Sequence, residues 1–209
     1  MTVNISEMLN GDINRMAYTY RFSSVVVNKQ ESVAEHSWFV NWYSLLIAMD
    51  AAEYVDVDLL VLFSRGIIHD MDESVSGDCI RSFKYGSKKL KKEMEKVARL
   101  QFRPLVEKVV GKKHTKKRVR YIMEYWDVKE FTVEQFILKL ADFLTVLMFA
   151  VREHELGNRK IERILLEVAG YIKQLFEEKT PKKLKKLAKN YRKQIKDMYT
   201  ELGFQDVII

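Results

Sequence analysis

Residues 136–151 read FILKLADFLTVLMFAV, and this stretch is the strongest sequence evidence for the fold. Apolar side chains would cover nearly every side of a helix formed here, a pattern typical of a helix buried among other helices. The stretch contains Lys139 and Asp142 and falls short of the roughly 18 uninterrupted apolar residues of a membrane span. It therefore predicts a central helix, over about 132–156, inside a helical protein.

The composition of the 209-residue chain favours helices throughout. Hydrophobic residues make up 47% of the sequence, enough to bury a core, whereas only two prolines and eight glycines are present. A sandwich or barrel with many strands would need more turn-forming residues than this. We predict an all-α fold.

The single cysteine and the N-terminal sequence bear on the setting of the protein. Cys79 cannot form an internal disulfide, and the first residues lack the basic and apolar segments of a secretory signal. These features predict a cytoplasmic protein without membrane association. The formal net charge of +7 attracts anionic ligands but does not choose among them.

Capping signals and periodicity place the other helices. Ser32 and Glu35 have the spacing of a capping box, which puts His36 in the first turn of a helix ending near residue 52. An apolar helix then ends at His69 and Asp70, and a loop over 71–87 leads to the next helix, beginning near Tyr85. Further helical segments are predicted over part of 4–19, over 87–126 with breaks around Pro104 and Gly111, and over 159–178.

The last predicted helix follows Thr180 and Pro181, which supply an N-terminal cap and a first-position proline. Apolar residues recur along it at three-and-four spacing, while lysines occupy the opposite face. Its apolar face would pack on the rest of the chain or on a second subunit.

Asp142 is the most informative single residue, because apolar side chains surround it on its helix. A buried carboxylate is costly unless a positive partner meets it. A metal ion would be such a partner, and an arginine from another helix would be an equal alternative.

The pair His69-Asp70 strengthens the metal interpretation. Imidazole together with carboxylate suits Zn²⁺, Mn²⁺, Co²⁺ or Fe²⁺, and His36 supplies a further nitrogen from a third helix. Two histidines and two carboxylates would leave coordination positions open, as a catalytic site requires. His114, in a lysine-rich segment, and His154, beside acidic residues, are predicted to be surface residues.

Six short motifs occur in a specific order along the chain. They are AEHS at 34–37, IIHDMDE at 67–73, SGD at 76–78, FKY at 83–85, LKLADFLTVL at 138–147 and ELGN at 155–158. In this order they closely resemble the HD-domain 5′-nucleotidase-like hydrolases, which act on deoxyribonucleoside phosphates. The resemblance covers about residues 14–158. It implies a single HD-type domain over 1–209, with a helical C-terminal extension over about 159–202.

The resemblance also implies a role for particular residues. It implies one divalent metal ion per subunit (cobalt, manganese, zinc or magnesium), held by His36, His69, Asp70 and Asp142. It implies proton transfer by Glu73, with Asp78 as its partner near the attacking water. Members often have a tryptophan where this chain has Phe22, which would still stack on a base. Phosphate would be held by the remaining two matched residues, Arg21 and Lys84.

The substrate and the partners stay open at this point. The leading hypothesis is release of phosphate from a deoxyribonucleoside 5′-monophosphate by a 5′-deoxynucleotidase. Phage enzymes with a similar site remove triphosphate from deoxyadenosine triphosphate, and Arg81 in the divergent segment 79–83 would accommodate extra phosphates. A nucleic-acid-binding helical protein using the lysine-rich helices is the alternative outside the enzymes, although solvated helix faces explain the lysines more simply. The resemblance further suggests a homodimer or larger homo-oligomer.

Overall fold

The computed structural model describes residues 3–84, 86–110, 115–128 and 130–209, and at residues 81, 82 and 115 it describes the backbone alone. In these residues the protein is all-α, as predicted, and the only β-type pairing is an isolated antiparallel bridge between Tyr20 and Ser32. None of the described helices has both the length and the apolar character needed to cross a membrane.

Ten α-helices follow one another along the described chain. They are α1 (Ile5–Asn10), α2 (Val33–Ala51), α3 (Leu59–Ile68), α4 (Glu73–Ser76), α5 (Arg81–Lys84), α6 (Lys88–Val110), α7 (Thr115–Trp126), α8 (Val133–Glu155), α9 (Glu162–Glu178) and α10 (Lys185–Glu201). Short 3-10 helices cover Asp12–Ala17, Arg159–Ile161 and Lys182–Leu184. The last two of these directly precede α9 and α10.

The helix contacts divide the chain into two compact units. The first unit comprises residues 1–38 and 67–128, and the second comprises residues 39–66 and 129–209. The prediction of a single domain with a C-terminal extension stays a prediction.

In the first unit, the core lies between α6, α7 and the end of α3. Its buried side chains belong to Ile68, Phe102, Val106, Val110, Val119 and Met123, with Met71 and Trp126 among the partly buried residues packed against them. The N-terminus joins this unit through a hydrogen bond from the Asn4 amide to the Val109 carbonyl, at 2.9 Å. The segment that follows α3 is thus anchored in a packed core through Met71.

Pro104 does not interrupt α6, so the predicted break at this position is wrong. Pro104 is exposed, whereas Phe102 and Val106 beside it are buried. A proline removes one hydrogen bond of a helix. Burial of Phe102 and Val106 on the other face stabilises α6, so the helix continues past Pro104 without that hydrogen bond. Gly111, where a second break is predicted, lies outside the described residues.

In the second unit, α8 is the most deeply buried helix, as its sequence predicts. Thr132 caps it by accepting a hydrogen bond from the Gln135 amide at 3.3 Å, and Gly157 follows its end with a φ of 86°. Glycine adopts this left-handed conformation without the strain that a side chain would add. Gly157 therefore ends α8 directly after the predicted helix boundary at residue 156.

The apolar face of α10 is buried within the chain itself. Leu187, Ala188, Ile195 and Tyr199 are buried, and the Tyr199 hydroxyl donates a 2.5 Å hydrogen bond to the Leu165 carbonyl of α9. The sequence left open whether this face packs on the rest of the chain or on a second subunit. In the structure it packs on the rest of the chain. The lysines of α10 are exposed, as expected for a solvated face.

Candidate metal centre

His36 occupies the first turn of α2, where the predicted capping box fixes its position. The Glu35 amide donates to Ser32 Oγ at 3.1 Å, and the Ser32 amide donates to Glu35 Oε2 at 2.8 Å. These reciprocal bonds begin the helix at Val33. The His36 side chain is fully buried, with Nδ1 3.8 Å from Glu31 Oε2. The capping box therefore holds an imidazole in the interior of the first unit.

His69 and Asp70 follow directly after Ile68, the last residue of α3, so this helix ends within two residues of its predicted end. The Asp70 Oδ2 atom lies 3.2 Å from His69 Nε2 and 3.7 Å from His36 Nε2. The two imidazole ring centroids are 5.8 Å apart, and each ring offers a nitrogen within 4.8 Å of the other. Two imidazole nitrogens and one carboxylate oxygen therefore converge in this unit. These donors fit a divalent transition metal, which prefers this combination of ligands.

Glu73, three residues after Asp70, is a buried carboxyl group. Its pKa is raised to about 9, chiefly by burial and next by the negative charge of Asp70; the charge of Asp78 adds to the rise, and the positive charges of Arg21 and Lys84 oppose it. Its Oε2 atom is buried and has no hydrogen-bond partner among the described residues. A carboxyl group that keeps its proton near neutral pH is suited to general acid catalysis.

Asp70, Glu73 and Asp78 form a cluster of carboxyl groups, and Asp78 connects this carboxyl cluster to the segment that contains Arg21. Asp78 Oδ2 accepts a 3.2 Å hydrogen bond from the backbone N–H of Phe22. Burial raises the pKa of Asp78, while the positive charge of Arg21 and this hydrogen bond lower it. Its carboxylate therefore both holds backbone and faces a guanidinium.

Phe22 has a left-handed backbone, with a φ of 60°. A residue with a side chain adopts this conformation at a cost of about 1–2 kcal/mol, so its surroundings must stabilise it. The bond to Asp78 does so, together with a 2.9 Å bond from the Val25 amide to the Phe22 carbonyl. The Arg21 guanidinium carbon lies 5.5 Å from the centre of the Phe22 ring. This backbone conformation therefore sets the positions of the two predicted substrate contacts.

Two positively charged side chains, Arg21 and Lys84, act on the carboxyl cluster. Arg21 Nη1 lies 3.9 Å from Glu31 Oε2, and the side chain is largely buried. Lys84, on α5, is half-buried, and its charge lowers the pKa of Asp72, Glu73 and Asp78. The side chain of Arg81 and the whole of Tyr85 lie outside the described residues. Within the first unit, the structure thus places Arg21 and Lys84 among the predicted catalytic carboxyl groups.

Asp142 lies in the middle of α8, in the second unit. Its side chain is 13% exposed, and Oδ2 lies 3.2 Å from Nζ of Lys139, one turn earlier on the same helix. This carboxylate therefore has a positive partner on its own helix, and that partner is a lysine instead of the arginine considered from the sequence. Its role as a fourth metal ligand stays a prediction.

His154 is buried, so its prediction as a surface residue is wrong. Its ring is 5.6 Å from that of Phe204, and its Nε2 contacts the Arg159 guanidinium and lies 3.3 Å from Glu162 Oε1. The adjacent acidic residues suggested exposure, but the C-terminal segment covers the imidazole. His114 lies outside the described residues.

Two buried acidic residues near the site were not predicted from the sequence. Glu31 faces both Arg21 and His36, and Asp72 accepts a 2.9 Å hydrogen bond from Trp126 Nε1. Burial raises the pKa of Asp72, and the Trp126 hydrogen bond opposes the rise. The acidic residues of HDMDE draw attention to Asp72 in the sequence. Its partner Trp126 lies 54 positions later, so the sequence does not indicate their contact.

Comparison with known proteins gives a family match and several similar solved structures. The family model described as "5′-deoxynucleotidase YfbR-like" matches residues 9–191. Among curated proteins there is no match. The solved structure of an HD-domain phosphohydrolase from Listeria innocua is similar with a TM-score of 0.76 and 20% identity, over 96% of this chain and 92% of that chain.

Two archaeal structures are similar as well. A protein from Pyrococcus horikoshii gives a TM-score of 0.65 at 20% identity, covering 90% of this chain and 97% of its own. A conserved hypothetical protein from Pyrococcus furiosus gives 0.58 at 24% identity, covering 84% and 98%. At these identities the structures support the HD-domain fold, and the family match supports the activity. This chain belongs to the YfbR-like 5′-deoxynucleotidase family and is a metal-dependent phosphohydrolase of deoxyribonucleotides.

Proposed function

We propose that this enzyme releases orthophosphate from deoxyribonucleoside 5′-monophosphates, using one divalent cation held by His36, His69, Asp70 and Asp142. The observation that carries the proposal is the approach of both imidazoles to one Asp70 oxygen, at 3.2 and 3.7 Å. Asp142 enters from the motif resemblance. When bound, the cation would lower the pKa of the attacking water and neutralise charge that develops on the phosphate.

Glu73 is the proposed proton donor to the leaving group. Its pKa of about 9 keeps a proton on the carboxyl group at neutral pH in the absence of metal. Loss of the phosphate ester bond leaves a negative charge on the 5′ oxygen of the nucleoside, which must take up a proton. A buried, protonated carboxyl group beside the phosphate would supply that proton.

Arg21 and Lys84 are the proposed phosphate contacts. Both are cations among the buried carboxyl groups of the first unit, and both lower the pKa of Glu73 and Asp78. The planar fork of donors on Arg21 matches two oxygens of a phosphate, whereas Lys84 supplies a point charge. Positive charge fixed at the reacting group stabilises the transition state.

Phe22 is the proposed contact for the nucleobase or sugar. Its ring stands at the turn whose backbone Asp78 fixes, beside the Arg21 guanidinium. An aromatic ring at this position would stack on a base while Arg21 engages the phosphate. In this proposal Asp78 serves the reaction partly by holding the two substrate contacts in register.

Product analysis of the purified protein tests the proposal. Each deoxyribonucleoside mono- and triphosphate would be incubated with Mn²⁺, Co²⁺, Zn²⁺ or Mg²⁺, and the phosphate products separated. We expect orthophosphate and nucleoside from a monophosphate. Tripolyphosphate from a triphosphate, with no turnover of monophosphates, would instead favour the phage-like triphosphohydrolase.

Two alanine variants give the matched comparison. Asp70→Ala removes a proposed ligand, whereas Asp197→Ala removes an exposed carboxylate of α10. We expect the first to lose phosphate release by about a thousandfold or more, because a metal site lacking one of its ligands loses its cation and the charge stabilisation that the cation provides. The second should keep wild-type activity, and equal activity of the two variants would contradict the proposed site.

The identity of the native metal and the assembly state are parts of the same proposal. We propose a homodimer, on the motif resemblance alone, and light scattering coupled to size-exclusion chromatography tests it. The metal that gives the highest kcat/KM at micromolar concentration in the product assay is the native candidate.

A further inference from the structure

Asp72 stands between two residues of the proposed site, Asp70 and Glu73, and points to a different partner. Its side chain is buried, and its Oδ1 atom accepts a hydrogen bond of 2.9 Å from the indole N–H of Trp126. Neither Asp72 nor Trp126 has a role in the function proposed above. The contact joins the segment containing the HD motif to the last residue of α7.

Trp126 is itself held from several sides within the first unit. Its ring centroid lies 5.6 Å from that of Phe102, which is fully buried in the core. Arg99 also contacts Trp126, with its guanidinium carbon 5.7 Å from the centre of the Trp126 ring. Arg99 in turn forms an ion pair with Asp127. The indole N–H therefore has a fixed position relative to the packed core of α6 and α7.

The backbone around Asp72 forms a tight series of turns. The Glu73 amide donates to the Asp70 carbonyl at 3.0 Å, and the Val75 and Ser76 amides donate to the Asp72 carbonyl at 3.0 and 3.1 Å. A change in the orientation of Asp72 would therefore be transmitted to Asp70, two residues before it, and to Glu73, directly after it. Asp70 is a proposed metal ligand, and Glu73 is the proposed proton-transfer group.

We propose that Trp126 is a positioning residue, whose hydrogen bond to Asp72 fixes the turn that presents Asp70 to the metal and Glu73 to the substrate. This inference rests on the proposed function of Asp70 and Glu73. It adds a remote support from α7 that neither the motifs nor their resemblance includes. Groups that orient metal ligands from outside the coordination shell typically change metal affinity or activity by about 10- to 100-fold when they are removed.

Trp126→Phe is the direct test, because it deletes the N–H and keeps an aromatic ring against Phe102. Trp42→Phe is the matched control, since it is the same substitution at a half-exposed tryptophan of α2. Two readouts are taken for each variant: the dissociation constant for Mn²⁺ by calorimetry, and kcat and KM with a deoxyribonucleoside monophosphate. We expect Trp126→Phe to weaken Mn²⁺ binding and lower kcat by about tenfold each, with KM changed less than threefold.

Two substitutions at Asp72 separate the hydrogen bond from the charge, and they decide the matter if Trp126→Phe fails to fold. Asp72→Asn removes the charge and keeps an oxygen that accepts from the indole. Asp72→Leu has a similar size and accepts nothing. We expect Asp72→Asn to retain at least a third of the wild-type kcat and Mn²⁺ affinity, and Asp72→Leu to lose about tenfold in each.

Three results would overturn the inference. Values for Trp126→Phe within twofold of the Trp42→Phe control would show that the bond is not needed, even if the melting temperature falls. An Asp72→Asn variant as defective as Asp72→Leu would assign the effect to charge rather than to the hydrogen bond. Equal, wild-type behaviour of both Asp72 variants would remove the bond from the account altogether.

The Mn²⁺ readout also keeps this inference separate from the proposed function. If the wild-type protein binds Mn²⁺ but releases no phosphate from any monophosphate, the proposed function fails, and the comparison of dissociation constants still tests the role of Trp126. If phosphate release is as proposed and Trp126→Phe matches its control in both readouts, the positioning role alone is refuted.

Discussion

Replacing Glu73 by glutamine should flatten the pH dependence of the stability of the metal-free protein. The Glu73 carboxyl group is buried, with 8% of the residue exposed, and its pKa is raised to about 9 from an ordinary value of 4.5. Burial is the main cause, and the charge of Asp70 is the next. Glutamine keeps the size and polarity of this protonated carboxyl group but cannot ionise.

The sign of the effect follows from where the proton resides. Between pH 4.5 and about 9, the unfolded chain loses the Glu73 proton and the folded protein keeps it. The free energy of unfolding therefore falls as pH rises through this range, by about 1.36 kcal/mol per pH unit for one proton. From pH 5.5 to pH 7.5, Glu73 should reduce the stability of the wild-type protein by about 2.7 kcal/mol relative to the Glu73→Gln variant.

Urea unfolding in the presence of a chelator measures this difference. Wild-type and variant proteins would be unfolded at both pH values, followed by circular dichroism, and the free energies extrapolated to zero denaturant. The control is Glu53→Gln, which makes the same substitution at an exposed glutamate. For Glu53→Gln we expect the difference from wild type to be the same at pH 5.5 and pH 7.5. The same result for Glu73→Gln would contradict the prediction.

Two further predictions concern the phosphate contact and the second unit. Arg21→Lys keeps the charge but loses the planar fork, so kcat/KM for a deoxyribonucleoside monophosphate should fall about tenfold or more; unchanged steady-state kinetics would exclude Arg21 as the phosphate contact. Tyr191→Phe removes a 2.7 Å hydrogen bond to Asp50 Oδ2 and should lower the free energy of unfolding by about 1 kcal/mol. Burial raises the pKa of Tyr191, so this residue makes wild-type stability fall as pH rises above about 10, where unfolded tyrosine ionises. Denaturant unfolding at neutral and alkaline pH should show that the phenylalanine variant lacks this fall, and parallel pH curves would contradict the assignment.

Local sequence signals predicted the helices that carry the site. The capping box of Ser32 and Glu35 sets the beginning of α2 and the place of His36, because both partners lie within four residues of each other. The end of α3 before His69 follows in the same way from an apolar run that stops at a polar pair. Features encoded within one turn or one helix can be recognised from sequence alone.

Features that depend on distant residues were missed. Pro104 suggested a helix break, but buried neighbours on the opposite face of α6 continue the helix. His154 looked exposed among acidic residues, yet Phe204, fifty positions later, covers it. The segment 71–87 was predicted as a loop, whereas it contains α4 and α5, each a single turn of helix and too short to leave a periodic pattern.

The same limit applies to the electrostatics of the site. The resemblance named Glu73 and Asp78, but the raised pKa of Glu73 arises from burial and from Asp70, which a sequence motif cannot quantify. The left-handed backbone of Phe22 had no signal, since glycine or asparagine would be usual there. Its support comes from Asp78, which is 56 residues away.

Equilibrium binding of Mn²⁺ to the wild-type protein and to His69→Ala, measured by calorimetry, tests whether His69 helps to hold a divalent cation beside Asp70. We expect one ion per chain in the wild type and a loss of affinity of at least a hundredfold in the variant, because an imidazole nitrogen next to Asp70 is removed. Equal affinity and stoichiometry in the two proteins would show that the cation is held elsewhere, and the proposed centre would be wrong.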